Sequence, residues 1–162
     1  MTHLIGISGK KGRGKNLIGK IIQYLCSTHY HYQNYNMTFN DFNNTFLALN
    51  NTTNWKIKKV AFKLKLITFI LKGEFEKTFK RKRSSWIITN VKFPNQAKAV
   101  TDRGGIMIRV NRNMPDRDNI TKQKAETALD HYAGFDYVLQ NNGTVEELIE
   151  QVKEILILEK II

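Results

Sequence analysis

The feature that most restricts this chain is the run Gly9-Lys10-Lys11-Gly12-Arg13-Gly14-Lys15, set between two segments of different hydrophobic period. Upstream, Leu4-Ile5-Gly6-Ile7 is a short apolar run ending in Ser8, the pattern of a strand buried on both faces. Downstream, Leu17, Ile18, Ile21, Ile22 and Leu25 recur at helical spacing. The run therefore fits G-x-x-x-x-G-K between a strand and a helix, the context in which this pattern cradles phosphate. Its glycines let backbone N–H groups turn toward one anion. The helix N-terminus adds partial positive charge, and Lys15 is placed to reach terminal phosphates. Lys10, Lys11 and Arg13 bring further charge to the same loop. Asn16 stands where such loops usually carry a Ser or Thr hydroxyl for Mg2+. A neutral amide is a poorer ligand, so the loop speaks more strongly for nucleotide binding than for catalysis.

Beyond residue 26 the pattern changes. Residues 27–55 are rich in Asn, Tyr, Phe, Thr and His without a clear period, and read as loop with short helical pieces. Ile57, Val60, Ala61, Leu64, Ile67 and Leu71 then recur at helical spacing with lysines between them, which predicts a basic helix over 56–72 ending at Gly73. Trp86 to Val91, Ile106 to Val110 and Phe135 to Leu139 read as three further strands. Pro94 opens a helix closed by Gly104-Gly105. Thr144 and Glu147 form a capping box for a last helix, whose apolar face holds Val145, Leu148, Ile149, Val152, Ile155 and Leu156. Strands alternating with helices predict an α/β domain with a parallel sheet between helical layers, spanning residues 1–162 as one unit.

Charge is unevenly spread over the 162 residues. Residues 1–55 carry five Lys/Arg and one acid, 56–83 carry eleven and two, and 84–162 carry ten and eleven. The net +12 is thus concentrated in 28 residues, which predicts a polyanionic partner for that stretch: nucleotide phosphates, nucleic acid or an acidic surface. Lys80-Arg81-Lys82-Arg83 is its densest part, and reads equally as a phosphate contact or as a solvated connection. The single cysteine, Cys26, excludes an internal disulfide and suits a reducing compartment. The N-terminus lacks the charged and apolar regions of a signal peptide. The run Leu64–Leu71 is too short to span a bilayer.

Several stretches together resemble the deoxynucleoside monophosphate kinases of phages and some bacteria. Ile5 to Asn16, IGISGKKGRGKN, is similar to the family's I-G-L-S-G-K-K-G-S-G-K-D. Trp86 to Asn95, WIITNVKFPN, is similar to W-I-I-T-D-V-R-F-P-N. Asp102-Arg103-Gly104-Gly105, Ile108 to Arg112, Glu126 to Asp130, Phe135 to Val138 and Asn141 to Thr144 continue the match in order. It covers residues 3–26 and 86–162 well and 56–72 loosely.

The resemblance implies a three-layer P-loop kinase fold that transfers a phosphoryl group from ATP to a deoxynucleoside monophosphate. It implies ATP or ADP at Gly9, Lys10, Lys11, Gly12, Arg13, Gly14, Lys15 and Asn16, with the base near Asn141, Asn142, Gly143 and Thr144. Lys15 and Arg13 would be the catalytic cations of an active enzyme. Four positions depart from the family. Asn16 and Asn90 replace acids where Mg2+ is expected, leaving no assured metal ligand. Phe62 replaces a further acid. The chain also runs almost directly from 72–83 to Trp86, where the family carries a long acceptor and lid insertion. All four weaken positioning and charge stabilisation of the transferring group. The leading expectation is a nucleotide-binding relative with impaired or lost transfer. A minimal kinase using Mg2+, and a non-enzymatic viral protein whose 56–83 segment contacts nucleic acid or an acidic partner, stay open. So does a homodimer. The expected location is a bacterial host's cytoplasm or a phage particle.

Overall fold

A computed structural model describes residues 3–31, 38–44, 55–59, 85–114 and 127–162. Its elements run β1 (Leu4–Ser8), α1 (Lys15–His31), α2 (Phe39–Asn44), β2 (Trp55–Lys59), β3 (Ser85–Val91), α3 (Pro94–Thr101), β4 (Ile106–Asn111), β5 (Tyr137–Gln140) and α4 (Val145–Leu158). The five strands form one sheet in the order β2-β3-β1-β4-β5, with every neighbouring pair parallel. From β1 the chain crosses to β2 at one edge, whereas from β3 it crosses over β1 to β4. The direction of progression therefore reverses around β1. In open α/β sheets, the crevice beyond the strand C-termini at such a reversal is where ligands bind.

Side-chain alternation divides the core in two. Ile5 and Ile7 of β1, Ile87 of β3, and Ile108 and Val110 of β4 face α1 and α4 and pack with Ile18, Ile21, Ile22, Leu148, Val152 and Leu156. Phe39 and Phe42 of α2 extend this layer. Leu4, Ile88, Val91 and Met107 face the other way, against Ala97 and Val100 of α3 and Leu129. Burying each such isoleucine or leucine contributes roughly 1.5–3 kcal/mol, which decides the helix positions more firmly than helix propensity does. Gly6 marks where α3 comes closest: a Cβ there would run into the Met107 sulfur and lie 3.2 Å from Val100 Cγ2. The result is the expected three-layer α/β fold of P-loop kinase type, with a parallel sheet.

The end of β3 departs from regular alternation. Thr89 pairs with Ile7 and Val91 with Ser8, so Asn90 is an extra residue bulged out of the ladder. Its φ is 72°, a left-handed conformation that Asn and Asp tolerate better than other non-glycine residues. The bulge reverses the facing of the next residue, so Val91 joins Ile88 on the α3 side rather than Ile87 on the α1 side.

Element boundaries were largely legible, with three departures. Pro94 occupies the first position of α3, and Gln96 Oε1 accepts the N–H groups of Lys92 (2.9 Å) and Phe93 (3.2 Å). α1 runs on to His31, and β5 begins at Tyr137 rather than Phe135. The expected helix over 56–72 does not begin as a helix, because Trp55–Lys59 is an edge strand paired with Ser85–Thr89. The physical reason is visible in its five residues: Trp55 and Ile57 alternate with Lys56 and Lys58, a period of two inside a longer apparent period of 3.6. The remainder of the basic segment, 60–83, with Phe62 and the expected remnant of a lid and acceptor region, lies outside the described residues.

Candidate functional site

The glycine loop leaves the C-terminal end of central strand β1 and enters α1 at Lys15, so it occupies the reversal crevice. Gly9, Gly12 and Gly14 have φ of 155°, 79° and 99°. A Cβ at Gly9 would lie 2.6 Å from the Val110 carbonyl oxygen, and one at Gly14 would strike the side-chain amide of Asn141. That amide is buried and donates to the Arg13 carbonyl at 3.0 Å, fastening the β5–α4 connection to the loop. An α-helix offers its first-turn N–H groups to an anion at its N-terminus, and here that turn begins at Lys15.

The cations around the loop are held in distinct ways. Lys15 is only 8% exposed, and its ammonium folds back to donate to the carbonyls of Gly9 at 2.7 Å and Lys10 at 2.8 Å. Arg13 is as deeply buried and donates to the carbonyls of Arg112 and Met114, tying the loop to the segment after β4. Lys10 lies 3.6 Å from an Asp130 carboxylate oxygen, and Lys11 is exposed. Beside the loop opens a cleft of about 380 Å3 lined by Lys10, Arg13, Arg109, Arg112, Asn113 and Gln140. Four cations in one polar hollow favour an anionic ligand. A larger hollow of about 700 Å3 along α4 is lined by Glu146, Glu147, Glu150 and Glu154. Its charge has the wrong sign for phosphate, so the smaller cleft is the better candidate despite its size.

The other expected site residues divide. Asn141 is built into the loop through its bond to Arg13. Asn142 Oδ1 accepts the N–H of Asn113 at 2.6 Å, which places it at the rim of the basic cleft. Thr144 is engaged in capping α4: its hydroxyl accepts the Glu147 N–H at 3.2 Å and its N–H donates to the Glu147 carboxylate at 2.9 Å. Gly143 packs against that same carboxylate, where a Cβ would collide. Asn16 is exposed on the first turn of α1, and Asn90 is the bulged residue of β3.

Sequence reasoning assigned no role to two residues that stand at the site. Arg109 interrupts the apolar strand β4 and is 12% exposed. Its guanidinium donates to Asp130 Oδ1 at 2.7 Å, approaches Ser8 Oγ at 3.4 Å and lies 5.6 Å from the centre of the Phe135 ring. Asp130 thus bridges Arg109 and Lys10. The signal for Arg109 was a cation near the C-terminal end of an otherwise buried strand. Asp130 fell inside a stretch of the resemblance, Glu126 to Asp130, but its partners could not be read there, because they come from distant parts of the chain.

The fold and the loop at its reversal crevice define a three-layer α/β protein of P-loop kinase type. Neither a family model nor a curated protein matches the chain. No helix among the described residues is long and apolar enough to cross a membrane.

Proposed function

We propose that the chain is a nucleotide-binding protein related to the deoxynucleoside monophosphate kinases, in which phosphoryl transfer from ATP to a deoxynucleoside monophosphate is impaired or lost. The observation that carries this reading is the buried Lys15 ammonium, wrapped by the carbonyls of its own glycine loop at the N-terminus of α1. A cation held there, beside a cleft with further cations, suits the phosphates of ATP or ADP. Asn141, hydrogen-bonded to the loop, brings the β5–α4 connection to the region where the nucleotide's base would sit. One cause of weak transfer, beside the shortened acceptor and lid segment, is the residues at the metal positions. Asn16 and Asn90 bring amide oxygens without negative charge, so Mg2+ gains little from them.

Calorimetry with ATP and ADP, with and without Mg2+, tests this directly. ATP binding should change little on adding Mg2+, and Lys15→Ala should weaken it by about 2–4 kcal/mol because phosphate charge loses a charge-assisted partner. Absence of nucleotide binding by the native chain would overturn the reading. A large Mg2+-dependent gain, with turnover of any of the four deoxynucleoside monophosphates in a coupled assay, would instead establish an active kinase.

A further inference from the structure

Among the described residues, Asp130 is the acid that meets two cations of the cleft, Lys10 and Arg109. Its Oδ1 receives Arg109 at 2.7 Å, and its Oδ2 lies 3.6 Å from the Lys10 ammonium. The two contacts differ in kind. Arg109 is anchored by Asp130, Ser8 and the face of Phe135 together, and is 12% exposed. Lys10 is 27% exposed, stands off by almost an ångström more and belongs to the loop itself. An ammonium on a flexible four-carbon stem turns readily from one anion to another, whereas a guanidinium gripped on three sides does not.

We propose that Asp130 is an internal competitor for Lys10: it keeps Arg109 as its permanent partner and surrenders Lys10 to the phosphates of an incoming polyphosphate, so that it sets how strongly the loop discriminates by ligand charge. The proposal rests on the nucleotide reading of the loop. Its physical consequence is an energetic offset. Binding a polyphosphate exchanges one ion pair for another, and the carboxylate left behind repels the ligand's charge. Removing the carboxylate's charge abolishes both effects. The resulting gain grows with the ligand's own charge and shrinks as salt screens it.

The experiment is calorimetric titration of the full chain with orthophosphate, pyrophosphate, tripolyphosphate and ATP at two ionic strengths, using native protein, Asp130→Asn, Lys10→Met and the double variant. Asp130→Asn keeps the side-chain shape and an acceptor for Arg109. It should tighten tripolyphosphate and ATP by about two- to fivefold, the range for a partly exposed ion pair. The gain should be smaller for orthophosphate and smaller at high salt, and it should shrink in the Lys10→Met background, where only the repulsion between carboxylate and ligand is left to remove. Lys10→Met alone should weaken tripolyphosphate binding, a readout that survives if Asp130→Asn folds poorly. Unchanged or weaker binding by a folded Asp130→Asn, the same gain without Lys10, or no effect of Lys10→Met would overturn the proposal while native ATP binding left the nucleotide reading intact. Failure of native protein and Asp130→Asn alike to bind either ATP or tripolyphosphate would overturn both.

Discussion

At the scale of single residues, backbone conformation and side-chain chemistry answer to different demands. Gly14 has a φ of 99° and faces the amide of Asn141, so it is constrained twice: by its own dihedral and by the partner that fastens the loop. Gly14→Ala should cost about 1–3 kcal/mol in stability through left-handed strain and should displace the Asn141 amide. Because that amide holds the Arg13 carbonyl, nucleotide affinity should fall as well. Chemical denaturation and calorimetry on the same variant check both losses, and unchanged affinity would show that the loop keeps its shape without the Asn141 tie. Asn90 illustrates the opposite case. Its left-handed φ accounts for a small polar residue there, but Asp meets the same backbone requirement. The bulge explains the shape of the end of β3, while the absence of a negative charge on Asn90 is a separate matter of chemistry.

Among the elements, α4 shows how local and long-range forces divide the work. Its inner face buries Leu148, Val152, Ile155 and Leu156, which fixes it beside α1. Its start is set by the reciprocal bonds between Thr144 and Glu147. Thr144→Ala should cost about 1 kcal/mol by leaving a first-turn N–H without its acceptor. Urea unfolding should show a lower midpoint with an unchanged slope. Because the Thr144 hydroxyl serves the helix, ATP affinity should be little altered; a large loss of affinity would give this residue a direct role at the ligand. β2 shows the reverse balance. Pairing with β3 along Trp55–Lys59 overrides a helical spacing that extends beyond it, since a strand adjacent to an existing parallel ladder satisfies the backbone groups that face that ladder at once.

For the whole molecule, the decisive property is where charge lies. Eleven Lys/Arg and two acids fall in residues 56–83, whereas α4 carries an acidic outer face. Charge is therefore strongly polarised along the sequence rather than uniform. We expect weak binding of single-stranded or duplex nucleic acid that falls steeply with salt, by roughly 0.7–0.9 in log-log slope for each phosphate engaged. Replacing Lys80, Arg81, Lys82 and Arg83 with Ser should lower both affinity and slope, as measured by fluorescence anisotropy across a salt series. An unchanged slope would assign the contacts to other cations, such as those of the cleft beside the loop.

What the sequence determined by itself were the features written in neighbouring residues: the glycine loop between strand and helix, the buried strands at β1, β3 and β4, Pro94 at the start of α3, and the Thr144–Glu147 cap. Each rests on interactions within a few residues, where spacing and side-chain type are sufficient. What only the tertiary structure decided were features created by segments distant in the chain. β2 is a strand because β3 is beside it. Val91 turns to the α3 face because Asn90 bulges from the β1 ladder. Lys10, Arg109 and Asp130 become one charged constellation because a loop, a strand and a turn converge at the C-terminal edge of the sheet. Electrostatic energy depends on distance in space, and nothing in the local pattern around Asp130 encodes that it lies between two cations.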